Sequence, residues 1–209
     1  MRIIDNRDKT ISKAVSFVDK LSNNIYIFGT NKYGISLASW LKKQNKNIIG
    51  YIDDFTTNDK FNNYPILKST SDFSDSSIIN CVVEGRTIDI ERLIKSTNAA
   101  QSIDYFSLQF AFSNELLQVD FLEDTNSVLD NINDYSLIYS ILEDDISKNE
   151  FESLVNFRLN RDIDFLTGFN FRLKDQYFES FIQLESDATF IDAGGFDGGT
   201  SKLCPELNP

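Results

Sequence analysis

The sequence predicts an α/β fold built on a parallel sheet, and three observations carry that expectation. Short apolar runs of strand length recur at Ile25–Phe28, Ile48–Ile52, Ile78–Val83 and Ile103–Phe106. Between them the apolar residues shift to helical spacing, at Tyr33, Leu37, Trp40 and Leu41 and again at Ile90, Leu93 and Ile94. Glycines stand where the first strand gives way to the first of these helices, at Gly29 and Gly34. Strands that alternate with helices pair in parallel and are covered on both faces.

Taken in order, Ile11, Ala14, Val15, Val18 and Leu21 recur at helical spacing and predict an amphipathic first helix. The run Ile25–Phe28, the glycine turn and the helix through Leu41 lead to a second strand closed by Asp53 and Asp54, one β-α-β unit of right-handed crossover. A short extended piece follows at Pro65-Ile-Leu67, then the remaining strands and helix. Residues 1–113 thus read as a small Rossmann-like domain. Residues 114–187 nearly lack Gly and Pro and mix acidic with aromatic residues. There Phe151, Val155, Leu159 and Ile163 step by four, and Tyr177, Phe178, Phe181 and Ile182 form a second stripe, so this stretch reads as a mostly helical acidic connector. Residues 188–209 begin a second domain of Rossmann-like type: the strand Thr189-Phe-Ile191, the turn Asp192-Ala-Gly-Gly-Phe-Asp-Gly-Gly199, and a helix start capped by Thr200 or Ser201.

Composition narrows the chemistry. Histidine is absent, which removes Ser/His and Cys/His nucleophilic machinery and imidazole-dependent zinc sites. Cys81 and Cys204 follow no metal or disulfide spacing and read as inert thiols, and no metal site is expected. Of 32 acidic and 20 basic residues, 17 and 5 lie between Ser113 and Asp187, so that segment carries the whole net charge of −12. Such a surface repels phosphate backbones and anionic lipid, so neither nucleic acid nor membrane is an expected partner. Met1–Thr10 is charged and polar with no apolar run, so a secretory signal is not expected and a cytoplasmic location is. Glu143-Asp-Asp145 reads as diverging carboxylates on a helix, and the aromatic run Tyr105–Phe112 as packing.

Two turns hold candidate site residues. In the first, Gly29 permits close backbone approach, Lys32 and Gly34 follow, and Asp53 closes the next strand where dinucleotide folds place a ribose-binding carboxylate. The triple-glycine fingerprint is missing, so nucleotide or nucleotide-sugar binding competes with a structural turn, and an NAD-dependent oxidoreductase is disfavoured. In the second, Asp192, Gly194, Gly195 and Gly198 combine a carboxylate with positions lacking a Cβ at a strand end.

The passage Asp175-Gln-Tyr-Phe-Glu-Ser-Phe181, followed by Ala188-Thr-Phe-Ile-Asp-Ala-Gly-Gly-Phe-Asp-Gly-Gly-Thr-Ser201, resembles the entry to the methyltransferase domain of the FkbM-type family. Asn156-Phe-Arg-Leu159 and Phe165 also look like its members, as does a Rossmann-like domain ahead of the catalytic one. Phe196, where a Gly or Asn often sits, and Cys204-Pro205 depart from the pattern. The resemblance implies S-adenosylmethionine as cofactor, held by Asp192, Gly194, Gly195 and Gly198, and methyl transfer to oxygen on a saccharide or related small molecule. It also implies that the acceptor site and adenine contacts lie beyond Pro209, so that this length alone is expected to be inactive. The rival expectation is a binding module whose first domain recognises a nucleotide or nucleotide-sugar.

Overall fold

The computed structural model describes residues 1–122 and 124–170, together with positions 189, 191 and 193. Met1–Phe169 forms one compact unit and Asn170–Pro209 another; the architecture below is that of the first.

Its centre is a six-stranded sheet: β1 (Asn24–Phe28), β2 (Ile48–Ile52), β3 (Lys60–Phe61), β4 (Tyr64–Leu67), β5 (Ser76–Asn80) and β6 (Gln101–Asp104), in the order β3-β4-β2-β1-β5-β6. Every pair is parallel except the two-residue β3–β4 bridge. Leaving out β3, the spatial order is third, second, first, fourth, fifth along the chain, the doubly wound Rossmann-like arrangement, with its reversal between β1 and β5. Side chains alternate across the strands. Ile25, Ile27, Tyr51, Ile79 and Ile103 face one layer with α1 (Arg7–Asp19), α2 (Lys32–Lys43) and α4 (Tyr105–Ala111), while Phe28, Ile52 and Ile78 face α3 (Thr87–Lys95) and Phe73 on the other.

Beyond the sheet lie α5 (Thr125–Asp130), α6 (Ile132–Ile141), α7 (Asp145–Asn160) and a 3₁₀ turn at Ile163–Leu166. Val128, Val155 and Leu159 form a small core of their own with Met1, Ile3, Tyr135 and Phe151 around it. The extended N-terminal residues are strapped to α7 by side-chain amides at helical spacing. Ile4 N donates to Asn156 Oδ1 (2.8 Å) and Asn6 N to Asn160 Oδ1, while Asn156 Nδ2 donates to Arg2 O (2.9 Å) and Asn160 Nδ2 to Ile4 O (2.7 Å). Four residues of helix advance about 6 Å and two of extended chain about 6.6 Å, so the two repeats stay in register over this length.

Four sequence expectations are corrected. The buried face of α1 is Thr10, Ala14 and Phe17, with Leu21 just past its end, and Val15 is exposed, because packing against α4 selects one of two overlapping stripes. The strand expected at Ile78–Val83 runs from Ser76 to Asn80; Ser77 tolerates burial because its hydroxyl bonds Ser22 and Gln101. The strand expected at Ile103–Phe106 stops at Asp104, whose carboxylate accepts from Ser107 N (2.8 Å) and Oγ (2.8 Å) and so starts a helix at Tyr105. Finally, β3 was not expected; Asn62 and Asn63, both at positive φ, make the two-residue hairpin turn that pairs it with β4.

Candidate functional site

The reversal of strand order leaves a crevice outside the carboxyl ends of β1 and β5, the place where open α/β sheets take ligands. The β1–α2 turn enters it at Gly29, whose φ of 106° suits glycine and whose missing Cβ would sit 3.0 Å from Val82 Cγ2. A Cβ on Gly34 would lie 2.9 Å from Gly29 O and 3.1 Å from Tyr51 Cε1. Gly34 is therefore demanded by the packing of α2 onto the turn and β2.

Asn31, which is not among the candidates that glycine spacing singles out, occupies the head of α2. Its Oδ1 accepts from Tyr33 N (3.0 Å) and Gly34 N (3.0 Å), and its Nδ2 donates to Cys81 O (2.8 Å) just beyond β5. The available signal was an Asn directly before a helical stripe, the ordinary mark of an N-cap. Asp53 is equally engaged: one oxygen takes the N–H and hydroxyl of Thr30, the other takes Phe55 N (2.9 Å) and Thr56 N (3.2 Å). Burial pushes the Asp53 carboxyl up, but these hydrogen bonds outweigh it and hold the group below its ordinary value. Lys32 pairs with Asp120 at the surface and lies 5.1 Å from the Tyr33 ring centroid. Gly29, Lys32, Gly34 and Asp53 are thus gathered around one turn, each with an internal partner or packing role. The space left between Asn31, Lys32, Tyr33, Val82, Val83 and Glu84 is about 170 Å³. A larger hollow of about 590 Å³, walled partly by Phe151, Leu154, Phe165 and Phe169, includes none of the candidate residues.

A second polar group is buried at the ends of β5 and β6. Asn80 Nδ2 donates to Glu91 Oε1 (2.9 Å) and to Thr87 O (3.2 Å), and its Oδ1 accepts from Val82 N (3.0 Å). Burial pushes Glu91 up, and the like charge of Asp104 adds to it against the Asn80 hydrogen bond. Burial likewise pushes Asp104 up, against the pull of Lys13 and the Ser107 hydrogen bonds. A carboxyl raised on folding contributes stability that is complete below its unfolded value, near 3.8 for Asp104, and is lost as pH rises through the folded value. Asp72, held at about 2 by Ser74 and Asn98, runs oppositely and loses its contribution only as pH falls. Asp104→Asn keeps the acceptor for Ser107 N and cannot ionise. Its melting temperature is expected to gain on the wild type as pH rises above the unfolded value near 3.8; a constant difference across a calorimetric pH series would refute the assignment.

Of the remaining residues singled out in the sequence, Cys81 is buried and free, and burial pushes its thiol up. Glu143, Asp144 and Asp145 are exposed, and Asp144 caps α7 through Ser147 N (2.7 Å). Among the described residues no group of three His, Cys, Asp or Glu side chains is placed to hold a metal ion, and no helix is long and apolar enough to cross a membrane. Asp192, Gly194, Gly195 and Gly198, with Cys204 and the Tyr177–Ile182 stripe, lie outside the described residues.

The fold is Rossmann-like, and a solved methyltransferase shares it. That structure is the methyltransferase FkbM from Methylobacillus flagellatus KT, similar to this chain at a TM-score of 0.53 and 16% sequence identity, over 94% of this chain and 60% of that one. At such identity the likeness establishes the fold. No protein-family model matches the chain, and no curated protein matches it in sequence. The chain spans about 60% of the length of the solved methyltransferase.

Proposed function

We propose that this chain is part of an S-adenosylmethionine-dependent methyltransferase of the FkbM type, acting on oxygen of a saccharide or related small molecule. The observation that carries the reading is the structural likeness to a methyltransferase over 94% of the chain, joined to the acidic-glycine turn from Asp192 to Gly199. The donor set suits the cofactor chemically: the Asp192 carboxylate accepts from an amine or hydroxyls, and Gly194, Gly195 and Gly198 let the backbone come close. The cofactor supplies an electrophilic methyl group. The protein's part is to hold donor and acceptor in line, so that positioning provides much of the acceleration. The likeness covers 60% of the solved methyltransferase, and no residue of this chain is assigned to the acceptor site.

The test is calorimetric. A protein that carries residues 1–209 together with the coding sequence downstream of them is expected to bind S-adenosylmethionine saturably, and Asp192→Ala to weaken that binding about 10- to 100-fold, the range for losing a charge-assisted hydrogen bond. A folded wild-type protein that ignores the donor ends the proposal. Residues 1–209 alone are expected to show no transfer of radiolabelled methyl to any acceptor.

A further inference from the structure

A phosphate-bearing ligand at a Rossmann-like reversal needs free amides at the head of the first crossover helix, an open approach to the backbone, and an available carboxylate for ribose. In this unit the chain's own groups already take two of those amides and the carboxylate. The amides of Tyr33 and Gly34 donate to Asn31, whose own amide reaches across the crevice to Cys81 O. Both oxygens of Asp53 are committed to Thr30, Phe55 and Thr56. Above the turn, the guanidinium of Arg86, from the loop after β5, lies 4.7 Å from the ring centroid of Phe55, from the loop after β2. Because β1 lies between β2 and β5, this pair bridges the loops on either side of it. The residual space of about 170 Å³ is below the roughly 300 Å³ at which ligand pockets begin.

We infer that the strand-order reversal in this unit is closed by its own side chains, with Asn31 as the latch, and that it excludes nucleotides. Asn31 stands in for the phosphate by taking the helix amides, and Thr30 stands in for the ribose by taking Asp53. The unit is then a scaffold. This inference does not depend on the methyl-donor reading, which rests on residues 192–198.

Amide hydrogen exchange on the full chain tests it. With ADP, NADH or UDP-glucose added, exchange across residues 29–34 and 81–84 is expected to stay as in the free protein. Asn31→Ala is expected to speed exchange at Tyr33 and Gly34 about tenfold, the effect of losing a hydrogen bond of ordinary strength. Asn31→Asp keeps the capping oxygen and is expected to preserve that protection, which separates the latch from general unfolding should the alanine variant fail to fold. Saturable slowing of exchange at residues 29–34 by any of the three nucleotides overturns the inference. So does an alanine variant whose Tyr33 and Gly34 amides exchange as in the wild type, whereas nucleotide effects confined to other residues leave the closed turn upheld.

Discussion

Asn160→Ala is expected to lower the stability of the first unit by about 2–4 kcal/mol, the cost of leaving two part-buried backbone groups without partners. Asn160 is fully buried at the end of α7, and its amide serves Asn6 N and Ile4 O together. Alanine supplies neither an acceptor nor a donor, and water reaches this position poorly. Against a total of about 5–15 kcal/mol for an ordinary domain, that is a large share. The loss should be local first, because the N-terminal residues are held to α7 largely through this position and Asn156. Urea denaturation gives the magnitude, and exchange at Ile4 and Asn6 gives the place. An unchanged midpoint with both amides still protected would show that apolar contacts of Met1 and Ile3 hold the segment without the amide ladder.

Phe106→Ala is expected to cost about 3–5 kcal/mol, the range for truncating a buried aromatic side chain. Phe106 is 2% exposed and meets Phe157 edge-on, with centroids 5.1 Å apart and planes at 89°, and also meets Phe121 at 6.3 Å. It therefore joins α4, which lies on the sheet, to α7, which lies outside it. Leucine at this position keeps much of the apolar volume and should lose distinctly less. Because Phe106 and Phe157 share one contact, the double alanine variant should lose less than the sum of the single ones. Strict additivity in thermal denaturation would mean that the ring pair is not a unit.

Both changes act on contacts between segments far apart in sequence, and such contacts mark the boundary of what could be read beforehand. The apolar run Ile48–Ile52, or the stripe Tyr33, Leu37, Trp40 and Leu41, is legible because apolar pattern and period are local properties of a strand or helix. The end of β6 was less legible, since Tyr105 and Phe106 suit a strand by type. What ends the strand is the Asp104 side chain bonding three residues ahead. The Asx cap outweighs the propensity of the aromatics.

The same division holds at the candidate site. Residue types and spacing placed Gly29, Gly34 and Asp53 around one turn, because the chain between them is a single β-α-β unit whose length sets the geometry. They could not say what those residues touch. Asn31 spends its amide on Cys81, 50 residues on, Lys32 finds Asp120, 88 residues away, and Asn160 holds a segment more than 150 residues earlier. By itself the sequence determined the order of β1, α2, β2, β5 and α3 and the stripe that α2 buries, since those follow from backbone period and apolar pattern. Only the tertiary structure decided whether a polar side chain at the turn remained open to a ligand or was satisfied within the protein, because a hydrogen bond depends on its partner's position in space and carries no mark in the local sequence.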